Sequence, residues 1–180
     1  MSSFRYDPAD PTPSVGGQLV TGQAGAQDNR ALEARPDVLV FTSGPLPADL
    51  EVIGPVSARL RVRASGPHFD LFARLCDVDG RGRSRNVCDG LIRHVPAAGQ
   101  DGPEYEMPEY EMTVPMSATA YRFRAGHRLR LQVSGGAHPR FARNTGTGEP
   151  PATATRLQPV QLEILHDDPD AGGLILPVFG

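Results

Sequence analysis

The sequence predicts an all-β fold, an antiparallel sandwich, and three observations support this. Glycine and proline, with 20 and 18 residues, make up about a fifth of the 180-residue chain, which argues against a helical bundle or a coiled coil. Several short segments alternate apolar and polar residues with the period of two that a half-buried strand shows. No stretch of ten or more residues keeps a period of 3.6, and Arg30 to Arg35 is expected to form a single helical turn at most. Short strands joined by Pro/Gly turns favour two sheets with polar outer faces and one shared core.

Four segments alternate clearly enough to be predicted as strands, namely 57–63, 109–114, 128–133 and 160–164. Their expected inward residues are Ala58, Leu60, Val62, Tyr110, Met112, Val114, Leu129, Leu131, Val133, Val160, Leu162 and Ile164. Val38 to Phe41 is a short continuous apolar run that is also predicted as a strand, and Phe69 to Val78 is a longer run that is predicted to be mostly buried. Ala125 to His127 is predicted to be a turn that joins an arm to the following strand.

Composition divides the chain into two predicted parts. Residues 1–30 are rich in Pro, Gly, Thr and Ala and are expected to be an N-terminal arm or linker, whereas 31–180 is expected to be the sandwich domain. A second stretch of similar composition, Ala137 to Thr155, is predicted to be a long loop. Long loops inside a compact domain are usually functional or disordered.

Charge and hydropathy limit the expected partners and location. The formal net charge of −3 gives no bulk reason to bind nucleic acid or acidic lipid, so neither is an expected partner. No apolar run approaches the roughly 18–20 residues that a membrane span needs. The N-terminus lacks the apolar core of a secretory signal, and a cytoplasmic location is therefore the expectation.

All 18 basic residues are arginine, and several of them alternate along two predicted strands. Arg59, Arg61 and Arg63 lie on one strand and Arg128 and Arg130 on another. One interpretation is a basic surface for an anionic ligand. The favoured interpretation is an outer sheet face whose arginines pair with carboxylates of neighbouring strands, and most of the five are then exposed. The expected carboxylates are Glu104, Glu106, Glu109, Glu111 and Glu163.

The two cysteines, Cys76 and Cys88, are equidistant from Gly82, where a hairpin turn is expected. If the hairpin closes there, the two sulfur atoms face each other across it. A disulfide and two buried free thiols are both compatible with this placement, and the free thiols are favoured in a reducing compartment.

A search for catalytic and ligand-binding motifs finds none. No Gly-x-Ser-x-Gly string marks a serine nucleophile, and Ser43, Ser65 and Ser134 are expected at turns beside glycine. The five histidines are scattered singly, which gives no support for a zinc site. Glycine-rich phosphate loops are absent, and the acidic residues lack the spacing of an EF-hand. No catalytic residue, metal ligand or cofactor is predicted.

Several separate segments, in the same order along the chain, resemble the C-terminal non-catalytic domain of the X-Pro dipeptidyl-peptidase/cocaine esterase family of serine hydrolases. They are Tyr6-Asp7-Pro8-Ala9-Asp10-Pro11 with Gly16-Gly17, Arg35 to Ser43, Leu50 to Val56, Phe69 to Leu75, Asp77-Val78, Asn86 to Gly90, Phe123 to Leu131 and Pro139 to Asn144. The resemblance covers nearly the whole chain. It implies a jelly-roll sandwich of the galactose-binding-like type.

The resemblance also implies what the chain does. In the family, the Ser-Asp-His triad belongs to an α/β-hydrolase domain that precedes the Tyr-Asp-Pro-Ala-Asp-Pro stretch. The chain is therefore expected to be an accessory domain that packs on such a domain or subunit and aids its stability, the shape of its pocket or its oligomerisation. A homo-oligomer is a further candidate assembly. The alternative is an independent carbohydrate- or protein-binding module, which rests on fold analogy alone.

Two segments are the candidate binding or interface sites. One is the loop Pro139 to Asn144, with Arg140, Phe141, Arg143 and Asn144. It departs from the family pattern at Ala142, where the family usually has an acid. The other is an expected turn around Asn86 to Asp89. For Asp89 and Asn144, capping of a turn is an equally good interpretation.

Overall fold

The computed structural model describes residues 1–20, 22–96, 107–150, 152–167 and 172–179. It is an all-β protein with antiparallel sheets, as the sequence predicts. In chain order the elements are β1 (Ser2–Tyr6), α1 (Arg30–Glu33), β2 (Val38–Thr42), β3 (Leu50–Gly54), β4 (Ser57–Ala64), β5 (Phe69–Val78), β6 (Ser84–His94), β7 (Glu109–Pro115), β8 (Thr119–Phe123), β9 (Arg128–Ser134), β10 (Val160–Leu165), β11 (Gly173–Ile175) and β12 (Val178–Phe179). No helix among them is long and apolar enough to span a membrane.

The first sheet is built around β4. Strand β7 pairs with one edge of β4, and β10 and β11 pair in succession along the other edge, where β10 meets residues 61–64 and β11 meets residues 57–59. Strand β1 then pairs with the free edge of β10, so the sheet has five strands. The chain leaves the sheet after Leu165 and returns to it at Gly173.

The second sheet has four strands in the order β2-β9-β5-β6, and a small three-stranded sheet has the order β12-β3-β8. Strand β5 is central in the four-stranded sheet, and all ten of its residues are buried. This confirms the prediction of a buried strand from the apolar run. Strand β8 ends at Phe123 and β9 begins at Arg128, so the predicted turn at 125–127 joins two strands rather than an arm and a strand.

The core lies between the two large sheets. It takes the alternate apolar residues of β1, β4, β7 and β10 from one side and those of β5 and β9 from the other, with Val52 and Phe123 from the small sheet. The inward residues predicted for 57–63, 109–114, 128–133 and 160–164 all belong to this cluster or pack against it. Period-two alternation therefore located the core correctly.

The two large sheets differ on their outer faces. The outer face of the five-stranded sheet is polar, and the side chains of Arg59, Arg61 and Arg63 are 47%, 37% and 44% exposed. Arg61 and Arg63 pair with Glu109, and Arg59 lies 3.9 Å from Glu111. The predicted pairing of arginines with glutamates of neighbouring strands is thus confirmed here. Glu163 is the register partner of Arg63, whereas Glu104 and Glu106 lie outside the described residues.

The outer face of the four-stranded sheet is covered instead of solvated. Residues 7–37, here called the strap, cross this face, and the glutamate of α1 reaches β9. Glu33 accepts hydrogen bonds from Gln132 at 2.7 Å and from Arg130. Arg128 is exposed as predicted, but Gln132 is buried and Arg130 is only 21% exposed. The expected polar, solvated face is wrong for this sheet, because sequence alternation does not show which face another segment will cover.

The cysteine thiols are free and buried, as favoured from the sequence. The hairpin closes at 79–83, but the expected facing of the two sulfur atoms is wrong. Leu75 pairs with Cys88 and Cys76 with Asn86, because Val87 is an extra residue that shifts the register. Cys88 therefore faces the core between the sheets, and Cys76 points to the opposite face.

The division at residue 30 and the jelly-roll topology stay predictions. The structure shows that β1 lies inside the arm-like segment and is a paired strand, with Phe4 and Tyr6 in the core.

Candidate functional site

All six predicted site residues lie over the outer face of the four-stranded sheet or beside it. Asn86 and Asp89 belong to β6, so the expected turn at 86–89 is wrong: these residues are buried in a strand. Residues 139–144 form part of the connection from β9 to β10. The structure thus brings together two segments that lie about fifty residues apart in the sequence.

Arg74 is the centre of this region, although it is fully buried on the central strand β5. Its guanidinium donates to Asp89 at 2.8 and 3.1 Å, to the carbonyl of Val15 at 2.6 Å and to the Asn29 side chain at 2.7 Å. Arg140 donates to the second carboxylate oxygen of Asp89. The carboxylate of Asp89 thereby partly neutralises the guanidinium charges of Arg74 and Arg140. The buried charges of Arg74 and Asp89 are both paired and hydrogen-bonded, as burial of charge requires.

Asn86 extends this cluster to a short loop of the strap. Its Oδ1 accepts from Gln27 N at 2.8 Å and from Asn29 Nδ2 at 3.1 Å, and its Nδ2 donates to the Gly25 carbonyl at 2.9 Å. Gly17 and Gly25 exchange two backbone hydrogen bonds at 2.7 and 2.9 Å. These contacts close the base of the loop 17–25. We call Arg74, Asp89, Asn86, Asn29 and Arg140 the Arg74 cluster.

Gly17 shows how closely the loop sits on the cluster. It has a φ of 78°, and a Cβ at this position would lie 2.8 Å from Asp89 Oδ2 and 3.1 Å from Arg140 Nη1. Only glycine combines this backbone conformation with so close an approach.

A second polar group holds the segment after Phe141. Asp70, on the same face of β5 as Arg74, accepts two hydrogen bonds of 2.8 Å from Arg93 and one of 2.8 Å from Asn144. The bonds to Asp70 raise the pKa of Arg93 above its ordinary value. Asn144 also accepts from Gly146 N at 2.9 Å, so it caps a turn and binds the sheet at once. At Ala142 the backbone carbonyl accepts from Arg93 at 2.8 Å.

Phe141 and Arg143 complete the predicted set. Phe141 is half-buried: its ring packs on Phe72, and the Arg140 guanidinium lies over it at 4.9 Å. Arg143 donates to the carbonyl of Pro8 at 3.0 Å, which ties this connection to the start of the strap.

Beside the cluster, the loop 17–25 borders a cavity of about 290 Å³. Its walls include Gln18, Ala26, Asn86, Asp89, Ser117 and Tyr121. Cys88 also lines it, and burial raises the pKa of this thiol to about 12, so the thiol stays protonated at neutral pH. Val20, in the same loop, is fully exposed to solvent. The loop 17–25 is thus held at its base by hydrogen bonds, and it carries the apolar side chain of Val20, which nothing within the described residues covers.

Two features of the described residues bear on chemistry, namely the carboxylate of Asp89 and the pair of Ser2 and His166. Both oxygens of Asp89 accept hydrogen bonds from guanidinium groups of the fold itself. Ser2 Oγ and His166 Nε2 lie 2.9 Å apart, but Ser2 is half-buried on an extended strand rather than on the strained turn of a hydrolase nucleophile. The described residues hold no group of three or more His, Cys, Asp and Glu side chains that could bind a metal ion.

The sequence analysis missed Arg74, Asp70 and Gly17. A signal was present for the first two, because a charged residue inside the continuous apolar run 69–78 must be paired when that strand is buried on both faces. Gly17 carried no signal of its own, since its closeness to Asp89 depends on where the strap crosses the sheet.

Comparison with known proteins fits this picture of a non-catalytic domain. Residues 1–171 match the family described as the X-Pro dipeptidyl-peptidase C-terminal non-catalytic domain. The chain belongs to this family. Cocaine esterase from Rhodococcus sp. (strain MB1 Bresler) is 41% identical over 150 residues, which are 81% of this chain and 26% of the esterase.

Two solved structures share the fold of this C-terminal domain. One is an α-amino acid ester hydrolase and the other an aminopeptidase from a marine sediment archaeon, Thaumarchaeota archaeon. Each superposes with a TM-score of 0.80 at 22% identity over 99% of this chain, and the chain covers 32% and 33% of them. The chain therefore spans about a quarter to a third of the length of the relatives it matches.

Proposed function

We propose that this C-terminal domain packs on an α/β-hydrolase domain and stabilises it, with the loop 17–25 and the neighbouring residues 139–144 as its contact surface. Family membership together with the lack of a nucleophile motif is the observation that carries the proposal. The assembled protein then hydrolyses esters or X-Pro amides, which are the substrate classes that the family resemblance suggests.

The choice of surface rests on how the outer faces are occupied. The outer face of the five-stranded sheet carries paired, exposed charges, and such a face is stable in water as it stands. On the other side, Val20 is fully exposed, while the base of its loop is fixed by hydrogen bonds between Gly17 and Gly25 and from Asn86 to Gly25. An apolar side chain close to such a fixed base is suited to anchor an interface, since part of the ordering cost is already met in the free domain.

Asn86, Asp89 and Arg140 act indirectly in this proposal. They are too well buried to contact a partner themselves, and they hold the loop that does so. Arg143 is exposed beside them and is the predicted residue best placed to contact the partner directly.

A chimera tests the proposal. The whole chain, residues 1–180, replaces the matching region of cocaine esterase, and thermal unfolding and ester hydrolysis are measured. We expect one cooperative transition and retained hydrolysis. Val20→Asp is expected to lower the melting temperature of the chimera, whereas the matched change Ile175→Asp, at a 53% exposed apolar residue of the opposite sheet, leaves it unchanged. Separate transitions for the two parts, or equal effects of the two variants, contradict the proposal.

A further inference from the structure

A second cavity, of about 390 Å³, lies between the two large sheets and is separate from the Arg74 cluster. It is lined by β2 and β9 of one sheet and by β4, β10 and β11 of the other. The opening arises where β10 leaves the edge of β4 after Leu165 and β11 rejoins it at Gly173. Its size falls within the roughly 300–1,000 Å³ of small-molecule sites.

The lining changes from apolar and buried to polar and exposed. The buried floor is formed by Leu60, Leu131 and Ile164, each at most 5% exposed. Ser43 and His166 are exposed and form the rim, whereas Thr42, which also borders it, accepts a hydrogen bond from Arg130 at 2.8 Å. The remaining apolar side chains of the wall are Phe41, Leu129, Leu165 and Leu174. Cavities lined by Leu, Ile and Phe stay dry and take up small apolar molecules.

Two glycines of the cavity wall, Gly172 and Gly173, contribute no side chain to it. Gly172 has a φ of 130°, and a Cβ there would lie 2.1 Å from the carbonyl oxygen of Arg59. Gly173, with a φ of 149°, is likewise in a conformation that L side chains rarely adopt. The wall at these two residues is therefore bare backbone.

The rim carries hydrogen-bonding groups without favouring an anion. Arg59 also lines the cavity, but its side chain lies on the exposed face of β4, where its guanidinium is 3.9 Å from the carboxylate of Glu111. Asp167, next to His166, is a carboxylate that pairs with the terminal amine at 2.7 Å. The Ser43 hydroxyl donates to the Gly44 carbonyl at 2.7 Å and accepts from Leu129 N at 3.0 Å, which leaves it one lone pair. With the exposed imidazole of His166, this suits a polar but uncharged head group.

We propose that this cavity binds one small uncharged amphiphile, an aliphatic alcohol or ester, with its apolar part on the floor of Leu60, Leu131 and Ile164 and its oxygen at the rim. This site is independent of the contact surface proposed above, because the two lie on different parts of the fold and share no lining residue.

Calorimetric titration of the full chain with 1-octanol tests the inference, with amide chemical shifts from NMR as the second readout. We expect saturable binding of one molecule and shift changes at residues of the cavity. Leu129→Phe, which fills the cavity, is expected to weaken binding by at least about tenfold, and Leu129→Ala, which enlarges it, to retain binding. Octanoate at pH 8 is expected to bind at least about tenfold more weakly than the alcohol.

Val40→Phe is the matched control, since Val40 lies on β2 but on the face away from the cavity and is 40% exposed. It should bind 1-octanol as the unchanged chain does. No saturation up to the solubility of the alcohol, shift changes outside the cavity, or equal weakening by Val40→Phe and Leu129→Phe overturns the proposal. Tighter binding of octanoate than of octanol overturns the assignment of an uncharged ligand.

Discussion

At the scale of single residues, a buried arginine stands in a strand where an apolar side chain would be expected, and it connects several segments of the fold. Arg74 is fully buried at the centre of β5, yet its guanidinium reaches a carboxylate, a backbone carbonyl and a side-chain amide. Because these partners come from β6 and from two parts of the strap, one side chain joins three segments. A buried charge of this kind specifies the position of the strap on the sheet, since a shift of the strap would leave the guanidinium unpaired.

Arg74→Ala is expected to lower the free energy of unfolding by about 3–5 kcal/mol, because it leaves Asp89 buried with one partner fewer. Urea unfolding measures the change. Arg63→Ala is the control: its partner Glu109 lies at 3.4 Å and its side chain is 44% exposed, so a change of about 0–1 kcal/mol is expected. Equal losses in the two variants would show that the buried cluster has no special part in stability.

The two thiols give a prediction about pH and reactivity. Burial raises the pKa of Cys76 and of Cys88 to about 12, above the ordinary value of 9.0. At pH 8 neither thiol should react with Ellman's reagent in the folded chain, and both should react in guanidinium chloride. Since the folded pKa is raised, the thiols stabilise the fold below pH 9, and this contribution is lost as the pH rises from about 9 through about 12. Rapid labelling of the native chain at pH 8 would contradict the burial of both sulfur atoms.

At the scale of elements, β1 is a strand of the sheet even though it stands in a segment whose composition is that of a linker. Its backbone pairs with five residues of β10, and Phe4 and Tyr6 enter the core. The alternation of Phe4, Arg5 and Tyr6 was visible in the sequence. The Pro/Gly-rich residues that follow, which form the strap, give residues 1–30 as a whole the composition of a linker.

Phe4→Ala is therefore expected to cost about 3–5 kcal/mol of unfolding free energy, since Phe4 is only 3% exposed. Arg5→Ala, on the same strand but directed outward, should change it by less than about 0.5 kcal/mol. Chemical denaturation of both variants gives the comparison. A small effect at Phe4 would support the interpretation of residues 1–30 as a dispensable arm.

Strand β6 passes so close to the end of β7 that the side chain at one position of β6 is restricted. A Cβ on Gly90 would lie 1.9 Å from the carbonyl oxygen of Pro115, so no side chain fits there without backbone movement. Gly90→Ala is expected to destabilise the fold by roughly 2 kcal/mol or more. Gly44→Ala serves as the control, because nothing lies within 4 Å of its Cβ position. Thermal unfolding of the pair checks this, and a stable Gly90→Ala variant would contradict the close approach.

At the scale of the whole molecule, the fold was largely predictable and the site only in part. Period-two alternation located the core because a buried face repeats every second residue along each strand. Asn86, Asp89 and residues 139–144 were singled out through family resemblance, yet their contacts with Arg74, Asn29 and Gly17 were not foreseeable. Those contacts depend on the path of the strap across a sheet, which is a long-range property that no local pattern records.

Since the proposed function places the hydrolytic chemistry in a separate α/β-hydrolase domain, the chain alone is expected to have no hydrolytic activity. With p-nitrophenyl acetate or an X-Pro anilide, we expect a rate equal to that of the buffer blank, since no nucleophile motif is present in the sequence. Bovine serum albumin at equal concentration controls for nonspecific hydrolysis by surface groups. A rate well above both, lost on Ser2→Ala or His166→Ala, would show that the chain carries chemistry of its own.

The pairing of β1 with β10 has a consequence for how the molecule forms over time. Tyr6 and its partner Val160 lie 154 positions apart in the sequence. During synthesis the five-stranded sheet thus cannot close until Val160 has been made, and until then Phe4 and Tyr6 lack their place in the core. Such distant pairings slow folding, and refolding from denaturant is expected to take milliseconds to seconds or longer. In a nascent chain, β1 must therefore be kept from other partners until β10 has been made.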